Sequence, residues 1–275
     1  MKRLKRFILL AAAVTLFGLV SVPVASSAGP ITLMGLSTSS VVFPYVVSIA
    51  RVLSTFCPEY TFLVNESDGI MDNMTRIRSG RARLANSIAL TDYESYFGKG
   101  VRFRDKPFKD FRILWYYQKS MVQIVVARDS GIKTLHDLNG RSFSRGGTGT
   151  TSSEFIREIF NILNIRPNYL ESKQIEAAQA YISGYVDGIV KIGPVPDTYL
   201  EHLNASRPVR FISFSSEDKE KILKALPAGH IDAISMNDYD GVDYDVNCFV
   251  TYHGIQSDMS FTQEEGYRFF KAMWE

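Results

Sequence analysis

The sequence predicts an α/β protein of two lobes, each a mostly parallel sheet flanked by helices. Three observations predict it. The chain opens with a β-α-β-α-β alternation of apolar patterns, which favours parallel strands covered by helices. A second alternation of the same kind follows from about residue 121. Neither a repeat nor a low-complexity linker intervenes, so the chain crosses between two α/β units near 122–127 and returns near 225–250. The first lobe is expected to take residues 29–122 and 230–275, the second 123–229. A chain of 275 residues is long enough to bury a core in each.

In order, Ile31 to Gly35 predicts a buried strand, followed by a Ser/Thr loop from Leu36 to Ser40. Pro44 opens a helix with Val46, Val47, Ile49, Ala50 and Leu53 on one stripe. Tyr60–Val64 is a second strand, Asp72–Ser79 a helix with Met74 and Ile77 inward, and Leu84–Leu90 a third strand. Phe111–Tyr117 and Met121–Ala127 predict two strands around the polar break Gln118-Lys119-Ser120. Between Asp129 and Gly140 lies a short helix that Thr134 can cap and Gly140 can end. Ser142 and Phe143 form a brief strand. A helix from about Ser152 to Leu163 carries Phe155, Ile156, Ile159, Phe160 and Leu163 on one face. Further elements are expected at Ile175–Ser183 (helix), Val186–Ile192 (strand), Arg210–Phe214 (strand), Ser216–Lys224 (helix), Asn247–Thr251 (strand) and from Thr262 onward (helix).

The formal charge of +2 conceals an uneven distribution. Lys2, Arg3, Lys5 and Arg6 stand at the N-terminus, and without them 27 basic residues face 29 acidic ones. No later basic cluster suggests a nucleic-acid partner. The basic head, the apolar run from Phe7 to Val24 and the small residues Ser26-Ser27-Ala28 match a cleaved signal peptide over residues 1–28. The competing expectation is an uncleaved anchor, since the run is close to the ~18–20 residues a bilayer span needs. Cys57 and Cys248 are open to either a disulfide or two buried thiols. With four scattered histidines they offer no metal-ligand spacing, and no cofactor is expected.

The segment with most chemistry is Ser144-Arg-Gly-Gly-Thr-Gly-Thr-Thr-Ser-Ser-Glu-Phe155. Glycines between a strand and a helix let backbone approach a ligand closely. The helix start adds unpaired N–H groups and a partial positive charge, which together favour an anion. Thr148, Thr150 and Thr151 add hydroxyl donors. Thr151-Ser-Ser-Glu154 is also a capping box, so Thr151 is open to either role, cap or ligand contact. No Gly-Lys-Ser/Thr follows, which excludes a nucleotide phosphate loop, and a single G-x-G halfway along the chain does not make a dinucleotide fingerprint. There is no G-x-S-x-G elbow, and His136, His202, His230 and His253 are expected at surfaces or turns rather than in a triad. The acids from Asp238 to Asp245 lack the spacing of a calcium loop and are expected to form a solvated turn.

The run Val122 to Gly140, continued by Gly147-Thr-Gly-Thr150, resembles the hinge strand and the G-S-G-T ligand loop of the TAXI family of solute receptors, which serve TRAP-type transporters. Asp72 to Ala82 and the turn Pro227-Ala-Gly229 resemble two further family segments, so the resemblance spans about residues 31–270. It implies a two-lobed periplasmic binding protein of type II that closes on a small acid and performs no catalysis. Thr148, Gly149 and Thr150 would line the cleft from the second lobe, with Gly147 in the same loop; Ser37, Thr38, Ser39 and Ser40 would line it from the first. Phe43 is a candidate wall, together with Tyr45, Tyr116 and Tyr117.

Departures from the family pattern bear on the ligand. Val42 stands where the family has a cleft tyrosine, Thr151 where it has an arginine, and Ile88-Ala-Leu90 where it often has Gln-Ser-Asp. Lys191 enters a strand that is usually aromatic, and is open to either a ligand contact or a solvent-facing strand edge. The family also continues further beyond its last strand. The expected partners are a small anionic organic solute (glutamate-like, dicarboxylate or 2-oxoacid) and the membrane subunits of a TRAP-type transporter, with the protein in the periplasm. The alternatives are an exported hydrolase or transferase using the hydroxyl-rich loops, or a ligand-binding partner of a membrane sensor.

Overall fold

A computed structural model describes residues 29–38, 40–148 and 150–274. The expected signal peptide lies outside the described residues. Among those described, no helix is long and apolar enough to cross a membrane.

The first lobe follows the predicted alternation. β1 (Ile31–Met34) pairs parallel with β2 (Phe62–Asn65) and β3 (Leu84–Ile88), connected by α1 (Phe43–Phe56) and α2 (Ile70–Arg78). Pro44 sits in the first turn of α1, where its missing N–H costs no helical bond, and Val46, Ile49, Ala50 and Leu53 are buried as their spacing requires. One correction concerns the third strand. It stops at Ile88, and Ala89–Phe97 forms α3, followed by a single turn, α4 (Gly100–Phe103). The inward face of α3 includes Thr91, Asp92, Glu94 and Ser95. A helix that buries polar side chains leaves no apolar periodicity to read.

The two strands expected around Gln118-Lys119-Ser120 are one strand of 17 residues, β4 (Phe111–Ala127). The polar break does not interrupt it: Gln118 and Ser120 are buried, and Lys119 reaches Asp232 at 2.9 Å. From Ser120 onward every residue of β4 is buried, as expected where both faces of a sheet are covered.

The second lobe is built from a 3₁₀ turn (Leu135–Leu138), β5 (Ser142–Ser144), α5 (Thr151–Ile162), β6 (Asn168–Leu170), α6 (Gln174–Ile182), β7 (Gly188–Gly193), α7 (Thr198–Ser206), β8 (Val209–Phe211) and α8 (Ser216–Ala225). Thr134 caps the 3₁₀ turn, accepting from the Asp137 N–H at 3.3 Å, as its position predicts. β6, α7 and the following β9 (His230–Ile234) carry too few periodic apolar residues to be anticipated. β10 (Val246–Asp258) is longer than expected, and α9 (Gln263–Trp274) ends the described chain. Phe269 of α9 packs edge-on against Tyr60 and Phe261, with centroids at 5.1 and 5.2 Å.

All strands join one mixed sheet, ordered β2-β1-β3-β10-β4-β7-β5-β6, with β8 on β4 and β9 on β10. β4 and β10 run antiparallel through its middle. The end of β10 pairs with β3 and the start of β4, while the start of β10 pairs with β9 and the end of β4 pairs with β7 and β8. The ladder between β4 and β10 shifts register between His253 and Gly254. The apolar cores divide at the same place. Two clusters draw on residues up to Trp115 and from Ile255 onward; the other two draw mainly on residues 121–250. Cys57 and Cys248 lie buried in different clusters and are unpaired, so the disulfide does not form.

Candidate functional site

Between the lobes lies a cleft of ≈ 510 Å³. The loop after β1, the turn after β2 and the end of β3 line one side; the loop after β5, the start of α5 and β7 line the other. Of the residues expected here, the structure places Ser37, Ser40, Gly147, Thr148, Thr150 and Lys191 in the lining. Ser39 and Gly149 lie outside the described residues. Thr38 is exposed and is not in the lining; its N–H and hydroxyl donate to Glu66 Oε1 at 3.0 and 3.4 Å. Phe43 is not in the lining and packs on Gly35, where a Cβ would come within 2.8 Å of its ring. Tyr45, Tyr116 and Tyr117 do not line it either.

The glycine loop behaves differently from an open row of donors. The Thr148 N–H donates to Ser172 O at 2.9 Å, and its hydroxyl contacts Glu171 Oε2 at 3.0 Å. Gly146 N–H donates to Ser144 Oγ and Thr150 N–H to Gly147 O. Gly147 N–H has no partner among the described residues. Thr150 is the cap of α5: its Oγ1 accepts from the Ser153 N–H at 3.1 Å and donates to Gly147 O at 2.7 Å. The cap therefore falls one residue before the expected Thr151, which is the first helical residue. Glu154, expected to close the capping box, pairs with Arg157 instead.

Lys191 is placed in the cleft lining. β7 lies between β4 and β5, but its β5 ladder ends at Ile189, so Lys191 pairs with Gln123 of β4 and, among the described residues, has no strand partner on its other side, where the cleft opens. Its side chain is half-buried, with Nζ 5.3 Å from the centre of the Tyr199 ring. The neighbouring Asp197 carboxyl is raised by burial, an effect that the Lys191 charge opposes.

Arg145 adds a charge to the cleft lining that the sequence motifs do not mark. It is 7% exposed, stacks 4.7 Å over the Tyr169 ring and gives Nη2 to Glu171. Its Nε and Nη1 are buried without a hydrogen-bond partner among the described residues, although Nη1 forms a longer ion pair with Glu154 Oε1 at 3.7 Å. The bond from Nη2 holds the Glu171 carboxyl below the usual range. Across the cleft stand Glu66 and Asp68. The Thr38 N–H holds the Glu66 carboxyl below its ordinary value, so it is ionised at neutral pH. The cleft thus has cations on the second-lobe side and carboxylates on the first.

His253 contributes to the lining and corrects the expectation of surface histidines. It is 7% exposed, with Nδ1 3.3 Å from Asn86 Oδ1, and burial pushes its pKa down to about 4. The imidazole is neutral at physiological pH. Near it, Asp92 accepts from Ser87 and Tyr116 at 2.8 and 3.1 Å, and burial raises its pKa to about 7. The acids between Asp238 and Asp245 accept from backbone: Asp238 from Ser235 N–H and Asp245 from Met236 N–H. Among the described residues, no cluster of His, Cys, Asp and Glu could hold a metal ion.

Comparison with known proteins places this cleft in context. A family model for the NMT1-like family matches residues 35–275. The chain belongs to the NMT1-like family. Its fold is the type II periplasmic-binding-protein fold, with a mixed sheet flanked by helices. The ligand-binding core of GluR0 from Nostoc punctiforme, solved with L-glutamate, is similar at a TM-score of 0.52 and 15% identity, over 89% of this chain and 92% of that one. MatC from Rhodopseudomonas palustris, solved with malate, matches at 0.54 and 13%, over 89% and 83%. A TctC solute-binding protein from Polaromonas, solved without ligand, matches at 0.55 and 12%, over 89% and 83%. At these identities the likeness to solved structures is one of fold.

Proposed function

We propose that this NMT1-like protein is an exported, non-catalytic solute receptor that closes its two lobes on a small anionic organic solute. One observation carries the reading: a cleft between lobes in which buried Arg145 keeps Nε and Nη1 without hydrogen bonds, Nη1 having only a 3.7 Å ion pair to Glu154, and Lys191 stands nearby. An unpaired buried donor is costly, and a solute carboxylate would satisfy it through charge-assisted bonds. Gly147 N–H and the positive end of α5 add to the attraction. Ser37, Ser40, Thr148 and Thr150 shape the pocket wall, with Thr151 beside it at the helix start. Because Thr148 and Thr150 donate to Glu171 and Gly147 O, their role is to hold the loop's form. That assignment supports binding over hydroxyl catalysis.

Of the three solute classes expected, the glutamate-like one is favoured. Glu66 and Asp68 would repel a second carboxylate on their side and attract an ammonium. The lobes would move about β4 and β10, which makes 117–121 and 250–255 the hinge. Residues 230–250 then belong with the second lobe, since β9 and the start of β10 share its core. Closure would present the receptor to the membrane subunits of a TRAP-type transporter in the periplasm, the partner that the TAXI resemblance implies. A thermal-shift screen of amino acids, dicarboxylates and 2-oxoacids tests the reading, because a ligand of the native state raises its melting temperature. At least one of the three classes is expected to do so in the wild type and to fail in R145M. A melt unmoved by all three would refute the proposal.

A further inference from the structure

Past Ile88, Ser152 and Ile192, which it shares with the first cleft, the gap between lobes continues into a second cavity of ≈ 660 Å³. That volume is in the range of small-molecule sites. Its walls are largely apolar: Leu90 from α3, Phe155 and Ile162 from α5, and Ile192 from β7. Glu94 of α3 lies among them. It is 8% exposed, its Oε1 is buried without a hydrogen-bond partner, and it forms no ion pair among the described residues. The carboxyl rests against Gly100, where a Cβ would come within 2.6 Å of Cδ, so the backbone there is shaped to admit it.

Glu158 reaches the same cavity from α5. Arg102 of α4 also lines it, and it too has no ion pair among the described residues. The other charges present, Glu154 and Arg157, are paired with each other, and Glu154 also pairs with Arg145 at 3.7 Å. A buried carboxylate without partners is unfavourable. Burial first, and then the Glu158 charge, raise the Glu94 pKa to about 7, against the opposing effect of Arg102; burial also raises that of Glu158. An ammonium would relieve both groups with three donors, and an aliphatic or aromatic body would cover the apolar wall.

We propose that this second cavity binds a primary amine carried on an apolar body, with the ammonium held by Glu94 and Glu158 and the body against Leu90, Phe155 and Ile162. The site stands independently of the anion reading for the first cleft. The amine belongs either to a free small molecule or to the far end of a solute that also occupies the first compartment.

Isothermal titration of the mature protein with phenethylamine at about pH 8 tests it, with 3-phenylpropionate as the control of equal body and opposite charge. Phenethylamine is expected to bind and 3-phenylpropionate not to. E94Q and E158Q should each weaken binding about tenfold or more, as loss of a charged partner does. Between about pH 8 and 5.5 wild-type affinity should fall roughly tenfold as the Glu94 carboxyl takes up a proton. R145M removes a cation paired with Glu154 of this cavity and should bind phenethylamine no more weakly than wild type, which separates this site from the first. 6-Aminohexanoate distinguishes the sources: binding lost in both E94Q and R145M assigns the amine to a spanning solute, and loss in E94Q alone to a free amine. The proposal is overturned if phenethylamine gives no heat, if E94Q binds it unchanged, or if 3-phenylpropionate binds as tightly. E94Q should melt no lower than wild type at pH 8, since it removes an unpaired buried charge, so a folding defect would not mask the result.

Discussion

Arg145 gives a single nitrogen, Nη2, to Glu171, and holds Nε and Nη1 buried without hydrogen-bond partners beside the interlobe cleft. Stacking on Tyr169 fixes the plane of the guanidinium. A planar cation so held is preorganised for a carboxylate. R145K should weaken binding of an anionic solute roughly tenfold, and R145M by about ten- to a hundredfold, the value of one or two charged hydrogen bonds. Calorimetry on whichever acid the thermal screen identifies is the measurement. Equal affinity in R145M and wild type would remove Arg145 from the site.

Thr150 and Thr148 should separate structure from loop shape. Thr150 caps α5 through Ser153, so T150A is expected to cost about 1 kcal/mol, while T150S restores most of it. For a chain of this size that is a fall of roughly 2–4 °C in melting temperature. T148A removes the contact to Glu171 and leaves the helix cap intact, so its melt should move less. Differential scanning calorimetry of the three variants gives the comparison.

Asp92 makes stability depend on pH. Its folded pKa, about 7, lies above the ordinary 3.8, so the folded state holds a proton that the unfolded chain releases. Its contribution is therefore complete below about pH 4 and is lost as pH rises through about 7. The shift corresponds to roughly 4 kcal/mol across that window. D92N should flatten this slope in urea titrations between pH 4 and 7. Y116F, which removes a donor to the carboxylate, should steepen it.

His253 acts with the opposite sign. Burial lowers its pKa from 6.5 to about 4, so the neutral ring stabilises the fold above about pH 6.5 and that stability is lost as pH falls toward 4. Proton NMR of the imidazole should show a single titration well below pH 6. A midpoint near the ordinary value would mean that the ring is solvated.

Gly254 sits at the register shift between β4 and β10, where a Cβ would meet Tyr116 Cδ1 at 2.5 Å and Trp115 O at 2.7 Å. The backbone oxygen cannot yield as a flexible side chain can. G254A should cost about 1–3 kcal/mol, the scale of overpacking, measured by chemical denaturation. An unchanged midpoint would show that this crossing adjusts freely.

Much of the fold was legible because its cues are local. Pro44 at the start of α1, Thr134 at the 3₁₀ turn and the apolar stripe from Phe155 to Leu163 each act within a few residues of themselves. The α3 helix was not legible, because its inward side includes Asp92, Glu94 and Ser95, residues whose burial only neighbouring segments can reward. The glycine loop lines a cleft, yet its amides are mostly committed to Ser144, Gly147 and Ser172, a matter of three-dimensional closure.

The sequence by itself determined the alternation of strands and helices and the placement of hydroxyls at the start of α5, since periodicity, capping and turn chemistry are short-range properties. Only the tertiary structure decided that Arg145 is buried with donors to spare, that Lys191 lines the cleft, that Cys57 and Cys248 remain apart and that Glu94 and Glu158 share a cavity. The physical reason is common to all four. Desolvation and charge depend on which distant segments pack together, and packing is decided by the whole sheet rather than by any one stretch of chain.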